Sequence, residues 1–241
     1  MANPIDPRQP AVNTATVGVP RAARDVGLRS YMLSVYNYMA SGVLLTGIVA
    51  MLFAGSGFAE QVMATPLRWL IVLAPLGFVM AMSFGLNRMS TATLQALFWA
   101  FSVAMGLSLS TIFLVYTGVS IAQTFFAVSA GFLGLSLWGY TTKKDLTGWG
   151  TFLIMGVVGL IVAMVINMFL QSTAMHLMIS AIGVLIFAGL TAYDTQKIKS
   201  MYAHVAGTDM MGKVVIMGAL NLYLDFINMF MFLLSFMGDR R

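Results

Sequence analysis

The sequence predicts an all-α polytopic membrane protein with seven transmembrane helices, the last of them central. Three observations lead there. Of 241 residues, 59% are hydrophobic and 9% charged, with mean hydropathy +0.88, more apolar surface than a soluble domain of this length can hide. The apolar residues fall into seven runs, each near the ~20 residues that cross ~30 Å of hydrocarbon. The last run is apolar nearly all round except for one stripe, Gly218, Asn221, Asp225 and Asn228, whose spacings of 3, 4 and 3 share a helical face. Such a helix belongs inside a bundle, with its stripe turned to a cavity or to partner helices.

Residues 1–29 are polar, carry Pro4, Pro7, Pro10 and Pro20, and read as a disordered cytoplasmic tail. They lack the basic-then-apolar order of a signal peptide. Residues 30–241 then form one transmembrane domain. Its expected helices are Tyr31–Ala54, Leu67–Phe84, Thr93–Tyr116, Ile121–Tyr140, Thr151–Leu170, Ala174–Tyr193 and Val214–Met237. Pro75 should kink the second, since it removes one backbone donor. Thr117–Ser120 and Gln171–Thr173 are short enough to make tight hairpins of the helices they join.

Lysine and arginine set the expected orientation. The tail holds four, the loop after the second helix Arg88, the loop after the fourth Lys143 and Lys144, and the loop after the sixth Lys197, Lys199 and Lys213. That makes ten against three on the other side (Arg68, Arg240, Arg241), together the 13 of the chain. The bias places the N-terminus in the cytoplasm and, after seven crossings, the C-terminus outside. The net charge of +5 is accordingly read as orientation and contact with membrane lipid, with no nucleic-acid partner.

Composition excludes further chemistry. With no cysteine there is no disulfide or thiolate metal site. The two histidines, His176 and His204, fall in expected loops, which argues against a histidine-ligated metal or haem. The 21 methionines form no dense cluster and read as apolar filler. No cofactor is expected beyond Ca²⁺ as a bound or transported ion. Small residues recur every four positions at Ser102, Gly106 and Ser110, at Ala127 and Gly131, and at Gly159 and Ala163. Their first meaning is close packing within a monomer; dimerisation through one stripe is the alternative. Asn37, Gln95, Gln123 and Asn167 are candidates to meet the stripe of the last helix.

Asp194 closes the apolar run Leu177–Tyr193, and Asp225 lies in the middle of the last helix. A carboxylate at bilayer depth costs roughly 2.5–3.5 kcal/mol on insertion scales, so it faces a bundle interior or a water path. The pair could bind a hard cation such as Ca²⁺, share a proton because close carboxylates do not both ionise easily, or act catalytically as in an intramembrane aspartyl protease. By helix rise the two are about ten ångströms apart in depth, so contact needs tilt or offset. Asp194 could instead flank its helix end beside Lys197. No Lys or Arg within four positions neutralises Asp225, so its partner must come from another helix. Arg88 is the basic candidate, or else an anchor at the membrane face.

Four segments carry a resemblance: Gly106-Leu-Ser-Leu-Ser110 continuing through Phe113-Leu-Val-Tyr-Thr117, Gly139-Tyr-Thr-Thr-Lys-Lys-Asp-Leu146, Gly189-Leu-Thr-Ala-Tyr-Asp-Thr-Gln-Lys197 and Leu222-Tyr-Leu-Asp-Phe-Ile-Asn228. They resemble the Bax inhibitor-1-like family (the transmembrane Bax inhibitor motif family) over essentially Ser30 to Arg241, and the short tails resemble its bacterial members. The resemblance implies seven helices, the last surrounded by the other six, in the bacterial inner (plasma) membrane. It implies a proton-sharing, pH-sensing dyad of Asp194 and Asp225, with Arg88 able to pair with Asp194 as a latch. It implies a pH-sensitive calcium leak; the polar stripe of the last helix then offers Asn221 and Asn228 as candidate pore-lining residues. Two departures stand out: Ser235 where many members carry a basic residue, and Gly77 where some carry an acid. The competing reading is a regulator that binds and restrains a membrane-bound AAA protease. An intramembrane protease is the weaker third, and the chain is not expected to be an enzyme.

Overall fold

The computed structural model describes residues 21–241. It is helical throughout: α1 Arg21–Gly55, α2 Phe58–Met63, α3 Leu67–Gly85, α4 Thr91–Leu109, α5 Ile112–Val115, α6 Gly118–Thr141, α7 Thr147–Leu170, α8 Thr173–Val205 and α9 Met210–Met237. Seven are long and apolar enough to cross a membrane, counting α4 with α5 as one span and α2 as a short surface helix. The chain is a membrane protein.

Polar residues mark the helix starts. The hydroxyls of Ser90, Thr117 and Ser172 accept from the backbone N–H groups of Thr93, Ser120 and Met175, satisfying donors that a first helical turn leaves free. Gln171, at φ 50°, turns the chain between α7 and α8, which pack on each other as the expected hairpin. The other expected hairpin does not close, because α6 packs against α8 and α9 and not along α4. α3 runs on through the buried Pro75. The third expected helix is broken at Ser110 and Thr111, where the Ser110 hydroxyl donates to the Leu107 carbonyl at 2.7 Å.

Two expected boundaries move. Residues 21–29, expected in the tail, are the opening turns of α1; the rest of the expected tail, residues 1–20, lies outside the described residues. α8 continues for twelve residues past Tyr193 to Val205. Asp194 therefore sits inside a helix, and Lys197, Lys199 and His204 are helical and not in a loop. His176 lies in the opening turns of the same helix.

α9 is the central helix: 72% of its most apolar window is buried, against 11–33% for the other six spans. It packs directly against α8, α1, α6 and α4, whereas α3 packs on α4 and α7 on α8 as an outer layer. The centre is thus lined mainly by four helices, not by six. Aromatic rings fill it. Phe98 and Phe101 meet the Tyr223 ring, and Phe226 lies between Phe125 and Phe132.

Only one small-residue stripe packs as expected. Ser102, Gly106 and Ser110 are buried, and a Cβ on Gly106 would come within 2.8 Å of the Thr46 carbonyl oxygen, so the stripe joins α4 to α1. Gly131 and Gly159 have open space where a Cβ would stand and belong to outward faces. Asn37 and Gln123 are likewise exposed and do not meet α9, while Gln95 and Asn167 are half-buried. Periodicity says which residues share a face; it does not say which face looks inward.

Candidate functional site

α8 and α9 run antiparallel, and three contacts set their register. Ile198 lies against Gly218, Phe232 covers Gly183, and the Ser180 hydroxyl reaches that of Ser235 at 3.3 Å. These pairs put Asp194 level with residues 221–222. Asp225 is then three to four residues away, roughly 4.5–6 Å along the helix axes. The ten ångströms expected from sequence shrink because α8 is longer and sits further along α9 than its apolar run suggests.

Asp225 is 4% exposed, and its Oδ2 has no hydrogen-bond partner. The charged group that acts on it is the carboxylate of Asp194. Asp194 is half-buried, and the cation that acts on it is Lys197, one turn further along α8, whose ammonium also lies 5.8 Å from the centroid of the Tyr193 ring. Lys197 belongs to the same sequence motif, and its i,i+3 spacing from Asp194 is the signal that identifies it. Arg88 is exposed in the turn after α3, its backbone N–H donating to the Gly85 carbonyl.

Around the acids the polar groups belong mostly to hydroxyls. Ser136 on α6 and Thr195 on α8 are buried and lie 3.2 Å apart. The Thr46 hydroxyl donates to the Ser102 carbonyl at 2.9 Å and lies 2.7 Å from the Tyr223 hydroxyl, tying α1, α4 and α9 together. Asn221 and Asn228 are half-buried, and the Asn228 amide donates to the Leu224 carbonyl. Tyr31, buried on α1 beside Tyr202, has a hydroxyl with no partner. Among the described residues no third acidic or imidazole side chain joins the aspartates. A hard cation held there would complete its shell with hydroxyl, carbonyl and water oxygens.

The loop between α6 and α7 is clamped to α8 beside the acids. Gln196 accepts from the Leu146 N–H and donates to the Lys144 carbonyl, both at 2.8 Å, and the Lys199 ammonium donates to the Tyr140 carbonyl at 2.6 Å. Gly139 lets α6 close onto the Ala192 carbonyl, where any Cβ would collide. Asp145 stays local: the Thr147 hydroxyl and N–H donate to it and hold its carboxyl below the usual carboxylate range. Gln196 and Gly139 lie in motifs visible in the sequence, but their partners are some fifty residues distant in the chain.

At the opposite end of α9, Ser235 is 2.8 Å from His176 Nε2 on α8. At Ser235, where the resemblance leads to the expectation of a basic side chain on α9, a neighbouring helix supplies an imidazole. Gly77 is exposed and borders open space.

Comparison with known proteins agrees with this architecture. The family model described as inhibitor of apoptosis-promoting Bax1 matches residues 28–241. The chain is 48% identical over 219 residues to the uncharacterized protein RP147 of Rickettsia prowazekii, covering 90% of this chain and 92% of that one. It is 44% identical over 229 residues to an uncharacterized protein of Caulobacter vibrioides, covering 90% and 91%. It is 43% identical over 226 residues to the inner membrane protein YbhL of Escherichia coli K12, covering 92% and 95%.

Proposed function

The chain belongs to the Bax inhibitor-1 family, and from that membership and the geometry of its buried acids we propose that it is a pH-sensitive calcium leak channel. In this reading it sits in the bacterial inner membrane with its N-terminus in the cytoplasm, and the Asp194–Asp225 pair gates it.

The observation that carries the reading is Asp225 itself. It occupies the most buried helix, with one carboxyl oxygen unpartnered and a second acid as its charged neighbour. An apolar residue would suit that position better for stability alone, since an unsatisfied buried polar group costs about 1–3 kcal/mol. The ionised pair offers oxygens suited to a dehydrated divalent cation. A proton shared by the two carboxyls removes one charge and bridges α8 to α9, which weakens the attraction for the cation and joins the helices that a pathway would separate. Arg88 supplies the latch in a second arrangement, where its guanidinium pairs with Asp194 in place of Lys197.

The test is calcium entry into dye-loaded liposomes that contain only this protein. Flux above empty liposomes, changing between pH 5 and 8 and lost in Asp225→Ala, is the expected result. Liposomes indistinguishable from empty ones across that range would defeat the channel reading. A membrane regulator of an AAA protease would then stand in its place.

A further inference from the structure

Two cavities meet at the membrane face where α9 ends. One, of about 450 Å³, is polar, and Asn167, Gln171, His176, Ser235 and Arg240 contribute to it. The other, of about 480 Å³, lies deeper between α7, α8 and α9 and is walled by Met164, Met168, Ile179, Met231 and Phe232. Asn167, His176 and Ser235 line both, so they form the neck of a single two-part space.

The chemistry of the two parts differs in a way that selects an occupant. The polar part contains a full cation, Arg240, and the imidazole of His176, and no carboxylate lines either cavity; Asp239, next to Arg240 in the chain, is not among the lining residues. Ser172 and Thr173, at the positive end of the 33-residue α8, add to the same sign of field. The deeper part lies within the membrane-spanning portions of its helices. Ser180 and Asn228 also line it, but Asn228 donates to the Leu224 carbonyl and Ser180 to the His176 carbonyl of their own helices, which leaves a mainly apolar wall suited to hydrocarbon. Methionine walls suit a flexible chain, because an unbranched thioether adapts to irregular contact. The Ser235–His176 hydrogen bond sits at the neck, where a polar linkage between head and tail would lie.

We propose that this space is a binding site for an anionic phospholipid, with the phosphate at Arg240 and His176 and one acyl chain along the methionine wall between α7 and α9. The proposal does not depend on ion conduction. Arg240 is positioned for it by its backbone, which pairs with Tyr116, while its guanidinium lies over the Tyr116 ring at 5.9 Å. Removing the side chain therefore leaves the end of the chain seated.

The experiment is native mass spectrometry of the purified, delipidated protein titrated with dioleoyl phosphatidylglycerol or dioleoyl phosphatidylcholine. Retention of phosphatidylglycerol at least tenfold stronger than of phosphatidylcholine is expected. Arg240→Gln should bring phosphatidylglycerol down to the phosphatidylcholine level. Arg68→Gln, which removes an exposed cation at the same membrane face but outside the cavity, should change nothing. Met164→Trp should weaken both lipids by filling the apolar part; Met164 is 41% exposed, so the substitution does not enter the packed core. Equal retention of the two lipids, or phosphatidylglycerol binding within twofold of wild type in Arg240→Gln, would overturn the proposal. An equal loss in Arg68→Gln would overturn it as well, by showing attraction to surface charge in general.

Discussion

Asp225→Asn is the most informative single change, because it removes a charge while keeping shape. The register of the two helices bounds the separation from below. With α8 and α9 in the observed register the two residues are offset by roughly 4.5–6 Å along the axes, and their side chains point into the same interface. Two unit charges ~6 Å apart at an effective dielectric of ~20 repel by about 3 kcal/mol. The substitution should therefore stabilise the fold by about that amount at a pH where both carboxyls are ionised. The gain should vanish where both are protonated, since neutral acids do not repel. For a chain of this size ~3 kcal/mol corresponds to roughly 6–12 °C in the midpoint of thermal unfolding. The assay is that midpoint in detergent, at pH 5 and pH 8.5, for wild type, Asp225→Asn, Asp194→Asn and the double variant. Each single substitution should recover most of the gain, and the double should add little, because one partner is enough to lose the repulsion. Additive shifts, or a shift of equal size at both pH values, would refute contact between the two acids and with it the dyad.

Three further outcomes follow from the same geometry. Arg88→Ala should raise the basal calcium flux or flatten its pH profile, and Arg88→Lys should restore it only in part because an ammonium lacks the planar fork; an unchanged profile in Arg88→Ala removes the latch. Asp145, held below the ordinary carboxylate range by Thr147, contributes stability that is present above its unfolded value and lost as pH falls through the folded one, so its window lies on the acid side. Asp145→Asn should accordingly leave the pH profile of flux between 5 and 8 as in wild type, which the liposome assay reads directly. Gly139→Ala should destabilise by about 1–3 kcal/mol, since its methyl meets the Ala192 backbone, whereas Gly131→Ala, facing open space, should be neutral; paired thermal midpoints check both.

The architecture was largely readable from composition and periodicity. Seven apolar runs of bilayer length, capped by Ser90, Thr117 and Ser172, depend on local hydrogen bonding and on the thickness of hydrocarbon, and both act residue by residue along the chain. The central place of α9 was legible for the same reason: a helix apolar all round with one polar stripe has only an interior to go to. So was the placing of Asp194 and Asp225 within apolar helices, because a carboxylate in an apolar run stands out whatever surrounds it. The tertiary structure decided what those residues face. Ser102, Gly106 and Ser110 look inward, while Gly131, Gly159, Asn37 and Gln123 look outward, a choice made by the rotation of each helix about its axis. It drew the α6–α7 loop onto Gln196 and carried α8 through Asp194 to Val205. Above all it set the sliding register of α8 against α9, which brings the acids within about one helical turn of each other and places His176 beside Ser235. Register and rotation arise from side-chain packing between distant segments, and no local pattern in a single helix contains them.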